Sequence, residues 1–225
     1  MDPPKPIDPS GDLLRRLLDG ARQLGQPIEE NQASQLLAYL ASLQRWNAVH
    51  SLSAWRTPSD FLVHHVFDGL ALVGPLTRLA KGKPLQVLDA GSGAGFPAVV
   101  LAAMRPQWVV TAVDAVAKKV AFIRQAAADA AISNLTAVHS RLEEFSPAAR
   151  FDVIVSRAFS SLDHLAAVTR HLLSPDGVWV AQKGRVPEAE MAALGHEQRV
   201  FHVEPVTVPE LEARRHLVWM RKSQS

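Results

Sequence analysis

Between residues 87 and 96 the chain reads Val-Leu-Asp-Ala-Gly-Ser-Gly-Ala-Gly-Phe. Glycines fall at 91, 93 and 95, and a carboxylate, Asp89, stands just ahead of them. Glycine at a strand-to-helix turn permits positive φ and lets a ligand lie close against the backbone. The spacing narrows the ligand. A dinucleotide loop reads G-x-G-x-x-G, whereas this one reads G-x-G-x-G, and it lacks the Gly-Lys-Ser/Thr of a phosphate loop. Asp89 would repel a pyrophosphate and attract an ammonium. A second acid, Asp114, closes the next apolar run. A carboxylate at that place can accept two hydrogen bonds from a ribose.

A ligand with a ribose, an adenine and a cationic amino-acid end fits best, which is S-adenosylmethionine. The plainer alternative is that Asp89 caps the loop and Asp114 caps the following helix.

These residues need a scaffold. Leu13, Leu14, Leu17, Leu18 and Leu24 form one helical stripe, and Gly25-Gln-Pro27 breaks it. A second helix is expected from near Glu29 to Trp46, with Leu36, Leu37, Leu40 and Leu43 on its apolar face. A connection over 47–57 follows, and Pro58 opens a third stretch containing Phe61, Leu62, Val66, Leu70 and Leu72. Residues 1–80 thus read as a helical extension, opening on a disordered Pro-rich lead and packed on the core. Residues 81–225 read as an α/β domain. Strands are expected at 86–89, 109–113, 136–138, 151–155 and 178–182, and helices at 96–104, 117–131 and 162–173. Alternation at this spacing means a mostly parallel, doubly wound, Rossmann-like sheet. Two late strands, 201–208 and 216–221, suggest an antiparallel C-terminal edge.

Composition excludes some chemistry. The 225 residues include no Cys, so disulfides, thiolate metal sites and Cys nucleophiles are ruled out. The nine His show no ligand spacing with Asp or Glu, and no metal is expected. No apolar run is long enough for a membrane span, and a cytoplasmic location is the expectation. Net charge is only +2, but 17 of the 24 basic residues are Arg. Arg suits phosphate and base edges, although a GC-rich genome gives the same bias.

Taken in order, the motifs resemble those of one family. Asp89-Ala-Gly-Ser-Gly-Ala-Gly-Phe-Pro97, Val113-Asp114 with Lys118-Lys119-Val-Ala-Phe122, Phe151-Asp-Val-Ile-Val-Ser-Arg157-Ala158, and Ala181-Gln-Lys183-Gly184 are similar to the small-subunit ribosomal RNA guanine-N7 methyltransferase family, also called glucose-inhibited division protein B. Arg45-Trp-Asn47 and His65-Val-Phe-Asp68 resemble its N-terminal motifs. The chain departs from the family pattern at Ser51-Leu-Ser53 (usually Asn-Leu-Thr), at Ala98 (Gly), at Ala115 (Ser) and at His64 (Arg). The resemblance implies an S-adenosylmethionine-dependent methyltransferase acting on N7 of a guanine in 16S ribosomal RNA of the small ribosomal subunit. It implies cofactor contacts from Gly91 and Phe96 along the loop that also holds Gly93 and Gly95, ribose binding by Asp114, adenine contacts from Leu142 and Glu143, and Arg157 at the mouth of the site.

Guanine N7 carries a lone pair and no proton, so no general base is expected. The expected task is alignment and exclusion of water. Arg157 closes a strand at the end where such sheets bind ligands, and its fork suits a guanine or phosphate. Its bland alternative is an ion pair with Asp152 or Asp163. Lys118, Lys119, Lys183 and Arg185 near strand ends favour a polyanionic target, and Trp55 beside Arg56 is a base-stacking candidate. His64 and His65 read as ordinary surface groups, and the other four Trp as packing residues. Two rival readings stand: a methyltransferase acting on another RNA, a protein or a small molecule, and a non-enzymatic RNA-binding assembly factor.

Overall fold

The computed structural model describes residues 11–157 and 159–223. The Pro-rich lead and Ala158 of the Ser-Arg-Ala motif lie outside the described residues. Helices α1 (Asp12–Gln23), α2 (Glu30–His50) and α3 (Pro58–Phe61) come first. The last continues through a π-helical turn, Leu62–Phe67, into α4 (Asp68–Ala80). Then follow β1 (Gln86–Ala90), α5 (Ala98–Met104), β2 (Val109–Asp114), α6 (Ala117–Asp129) and β3 (Leu135–His139). After a single 3-10 turn, Leu142–Glu144, come β4 (Phe151–Arg157), α7 (Leu162–Thr169), β5 (Leu173–Lys183), α8 (Glu188–Ala192), β6 (Gln198–Val206) and β7 (Arg215–Lys222).

The seven strands lie in the order β3-β2-β1-β4-β5-β7-β6. The first five are parallel, and β7 and β6 complete the sheet as antiparallel neighbours. This is the doubly wound, Rossmann-like architecture with an antiparallel edge. Because successive side chains on a strand point to opposite faces, the core splits in two. Val87, Val110, Ala112, Val153, Val155 and Val180 face one layer. Leu88, Val113, Ile154, Trp179 and Ala181 face the other. The first layer holds α1, α2, α4, α5 and α6, with Leu17, Leu36, Leu40, Phe67, Val100 and Ile123 in one continuous cluster. The second is thinner and includes Leu162, Leu165 and Ala166 of α7.

Local chemistry sets the element ends. Thr57 and Asp60 make a capping box around Pro58 at the start of α3. Gly20 of α1 is required by packing, since a Cβ there would lie 2.3 Å from the Phe67 ring. Several expected boundaries move: β5 begins at Leu173 rather than 178, β6 spans Gln198–Val206 rather than 201–208, and two helix ends shift. Helix α2 runs on through the expected connection to His50 and ends on Ser51, whose φ is +50°. Helix α7 stops at Thr169, well short of residue 173: the Thr169 hydroxyl bonds back to Leu165 O and accepts Trp179 Nε1, and Leu173 pairs with Phe151 in the sheet. The run through Pro175 and Gly177 is poor helix material.

Candidate active site

The glycine loop joins β1 to α5. Gly91, Gly93 and Gly95 all take positive φ, at +73°, +59° and +85°. Gly95 also admits no side chain, because a Cβ would stand 2.2 Å from the Tyr39 hydroxyl. That hydroxyl, from the first layer, donates to Ala94 O at 3.0 Å. The loop is thus held from α2 as well as from its own ends.

Both acids are buried, and they differ. Asp114 Oδ2 accepts Gly93 N (2.9 Å) and Oδ1 accepts Val116 N (2.8 Å), so the carboxylate ties the loop to the end of β2. Lys119 Nζ lies 3.7 Å away. Each oxygen keeps a further lone pair for a ligand. Asp89 Oδ2 accepts Ala98 N at 3.1 Å, while Oδ1 is buried and unpartnered. Burial pushes its carboxyl up to about 7, against the lowering effects of the Ala98 N–H and Arg157. The capping roles considered for both acids are real, and each acid retains acceptor capacity.

A cavity of about 250 Å³ opens beside the loop, lined among others by Gly91, Asp114, Ser140, Leu142, Glu143 and Phe159. Four sequence-predicted residues therefore share one cavity. Phe96 is not among its lining residues: its ring is buried between Tyr39 (5.5 Å between centroids) and His65 (4.7 Å, stacked). Asp89, Gly93 and Gly95 are not among its lining residues either.

Arg157 sits at the carboxyl end of β4, but neither Asp152 nor Asp163 is its partner. Asp152 accepts Gln86 N, and Asp163 accepts Gly195 N and Gln198 Nε2. Arg157 instead reaches into the π-helical turn. Its Nη1 donates to His64 O (2.7 Å) and Asp68 Oδ2 (3.3 Å), and Nη2 meets His65 Nδ1 at 3.1 Å. Asp68, only 2% exposed, also accepts Arg215 Nε (3.0 Å) and Gln182 Nε2 (3.0 Å) on Oδ1. Gln182 is the register neighbour of Arg157 across β4 and β5. One buried carboxylate thereby fixes two guanidiniums. Of the five N–H groups of Arg157, three are engaged in this network and two are left for a ligand.

His65 is no surface group. It is buried, and burial, followed by the charge of Arg157, lowers it to about 3. The π-helical turn aims it inward, which a uniform helical period did not anticipate. Its Nε2 lies 2.8 Å from Ser53 Oγ. His64 keeps some exposure and lies flat on Trp55, ring centroids 3.5 Å apart at 3°. Trp55 is 40% exposed and Arg56 is exposed beside it. Lys118 donates to His50 O (3.2 Å). Lys183 is bound to Glu190 (2.9 Å) in a wider cleft of about 790 Å³ that Arg185 also lines. Tyr39 and Phe159 carry no sign of a site role in the sequence; Gln182, like Asp68, stands in one of the family-like motifs, and Arg215, in the run Arg214-Arg215-His216, offers itself equally as a phosphate contact or as part of a solvated turn.

Among the described residues, no group of three or more His, Asp or Glu is placed to hold a metal ion. No helix there is long and apolar enough to cross a membrane.

The family described as rRNA small subunit methyltransferase G matches the chain over residues 32–218. Ribosomal RNA small subunit methyltransferase G of Leptothrix cholodnii is 50% identical over 205 residues, covering 91% of this chain and 94% of that protein. Its namesake in Bordetella avium is 45% identical over 211 residues, covering 93% and 94%. Among solved structures, the N-methyltransferase NodS of Bradyrhizobium japonicum, determined with S-adenosyl-L-homocysteine, shares the fold, with a TM-score of 0.56 at 15% identity over 80% of this chain and 100% of that one.

Proposed function

Since the chain belongs to the rRNA small subunit methyltransferase G family, we propose that it transfers a methyl group from S-adenosylmethionine to N7 of a guanine in the 16S ribosomal RNA of the small ribosomal subunit. The observation that carries this reading is the pairing of two unlike acids around one glycine loop: Asp114, at the cavity with acceptor capacity to spare, and Asp89, with a buried oxygen that lacks a partner.

That donor and acceptor set fits the cofactor. The spare lone pairs of Asp114 suit ribose hydroxyls. The unpartnered Asp89 oxygen suits an ammonium, which would also hold the carboxyl ionised. Leu142 and Phe159 give the cavity apolar walls for an adenine, with Glu143 beside them. Gly91 lets the ligand approach the backbone, with Gly93, Gly95 and the buried Phe96 fixing the loop behind it. When bound, S-adenosylmethionine supplies a methyl already activated by its sulfonium.

The protein's work is then positional. Guanine N7 has no proton to lose, so no residue has to act as a base. The base gains positive charge as the methyl arrives, which disfavours a dense cationic wall. Asp68 answers this by setting one negative charge against Arg157 and Arg215. Arg157 keeps two N–H groups for the cofactor carboxylate, the guanine edge or a phosphate. Trp55, Arg56, Lys118, Lys119, Lys183 and Arg185 form the RNA-facing side in this reading. The first 80 residues, which supply Tyr39, Trp55, His65 and Asp68, act as an integral part of the site, with the methyltransferase domain proper from 81 onward.

The test is transfer of labelled methyl to small subunits lacking the modification, followed by mapping of the labelled nucleotide. One N7-methylated guanine in 16S ribosomal RNA is expected. Label in a protein or on another base overturns the reading.

A further inference from the structure

The loop between α2 and α3 carries a hydroxyl whose polarity is dictated from below. Arg157 can only donate, so the ring nitrogen it meets, His65 Nδ1, must accept. With His65 neutral, its proton then resides on Nε2 and is donated to Ser53 Oγ, 2.8 Å away. Trp55 N donates to the same oxygen at 3.2 Å. Both lone pairs of Ser53 Oγ are thus occupied, and the hydroxyl can engage any further group only as a donor. Ser53 is partly exposed.

The same loop is rigidly held. Asn47, buried at the end of α2, accepts Ser53 N on Oδ1 (2.7 Å) and donates from Nδ2 to Trp55 O (2.8 Å). One side chain therefore fixes the Ser53 hydroxyl and the Trp55 ring relative to each other. Trp55 has one face on His64 and is the loop's exposed aromatic. A donor and a flat, exposed aromatic surface on a pinned loop, joined through His65 to Arg157, suit a planar base with an acceptor on its edge.

We propose that Ser53 is a specificity-determining residue whose hydroxyl donates to O6 of the target guanine, next to the reacting N7, while the Trp55–His64 stack receives the face of the base. This rests on the reading that the substrate is a guanine. Guanine shows N7 and O6 as adjacent acceptors, whereas adenine places an amino donor where O6 would be. A hydroxyl free to rotate would accommodate either group. This one cannot, because its acceptor positions are filled; an adenine amino group would meet a second donor. The relay that orients Arg157 thereby also sets the discrimination.

The experiment is a cycle between protein and RNA. Small subunits are reconstituted with guanine or with 2-aminopurine, which keeps N7 and lacks O6, at the methylated position. Methyl transfer by the wild type and by Ser53→Ala is measured on both, with cofactor binding and thermal melting as controls. The wild type should lose about tenfold in kcat/KM on 2-aminopurine, the scale of one lost hydrogen bond with its donor left unmet. Ser53→Ala should lose a similar factor on guanine and nothing further on 2-aminopurine, with cofactor binding unchanged. Ser53→Thr, which keeps the hydroxyl, should recover most of the loss. Equal rates of the wild type on guanine and 2-aminopurine overturn the proposal, whether or not Ser53→Ala folds. So do losses that simply multiply. Failure of the wild type to methylate guanine subunits at all overturns the parent reading instead, and is told apart by that control.

Discussion

In the site as we propose it, the cofactor side and the base side are built in opposite ways. The cofactor side is built around one strand-turn-helix, residues 86–104, and the end of the next strand at Asp114, with Leu142, Glu143 and Phe159 completing the cavity. Its geometry follows from three positive-φ glycines and two carboxylates. The base side draws Ser53, His65, Asp68, Arg157, Gln182 and Arg215 from scattered segments, and one buried carboxylate, Asp68, bonds to Arg157, Gln182 and Arg215 across 89, 114 and 147 residues. The first is mainly a local device, braced from the helical extension by the Tyr39 hydroxyl on Ala94 O. The second exists only when the helical extension is seated on the sheet. In this proposal the cofactor is held by the former, and the base is selected by the latter.

Asp68→Ala should give the largest effect and break the base side alone. It leaves Arg157 and Arg215 without their carboxylate in a half-buried setting, and removing one partner of a buried pair costs about 3–5 kcal/mol. We expect a lower melting temperature and a fall in methyl transfer of at least about a hundredfold. Binding of S-adenosylmethionine, followed by calorimetry, should change little. Equal losses of cofactor binding and transfer would mean that the two sides are one energetic unit.

This division explains what could be read from the chain. The glycine spacing, Asp89, Asp114 and the alternation of strands and helices are contiguous patterns, and they lead to the fold and to Gly91 and Asp114 at the cavity; Leu142 and Glu143, which meet them there, are implied only by the family resemblance. Arg157 was legible as a residue at a strand end. Its partner was not, because Asp152 and Asp163 are near in sequence while Asp68 is 89 residues away. His65 was misread as surface because helical periodicity assumes a uniform turn, and the π-helical segment rotates it inward. The early end of α7 was hidden for a related reason: Thr169 is retained by Trp179, a contact that no local pattern announces.

Asp114→Asn should have the next largest effect, on the cofactor side alone. The amide can still accept on Oδ1, but its nitrogen cannot accept Gly93 N, and the ribose loses acceptor sites. Cofactor affinity should fall by about 2 kcal/mol, roughly thirtyfold, the scale of unpaired buried partners. At saturating cofactor the transfer rate should stay close to that of the wild type. A loss confined to the transfer rate would move Asp114 out of ribose binding.

The smallest effect, and the most specific to Asp89, is a dependence on pH. Its carboxyl is pushed up to about 7 by burial, from an ordinary value of 3.8. Below pH 7 the ligand-free protein therefore holds Asp89 mainly neutral, and above it mainly ionised. A ligand that presents an ammonium to Asp89 Oδ1 binds the ionised form. Its affinity should be highest above pH 7 and fall by about tenfold between pH 8 and pH 6, with about one proton released on binding at the lower pH. Stability of the ligand-free protein runs the other way. Between 3.8 and about 7 the folded state holds a proton that the unfolded state has lost, so this group's contribution is fully present below the unfolded value and disappears as pH rises through 7. Calorimetry in buffers of different ionisation enthalpy reads the proton count directly. Asp89→Asn should bind the cofactor more weakly and without that slope. A slope that survives in Asp89→Asn would assign the titration to another group and leave the unpartnered oxygen of Asp89 with no part in holding the ammonium.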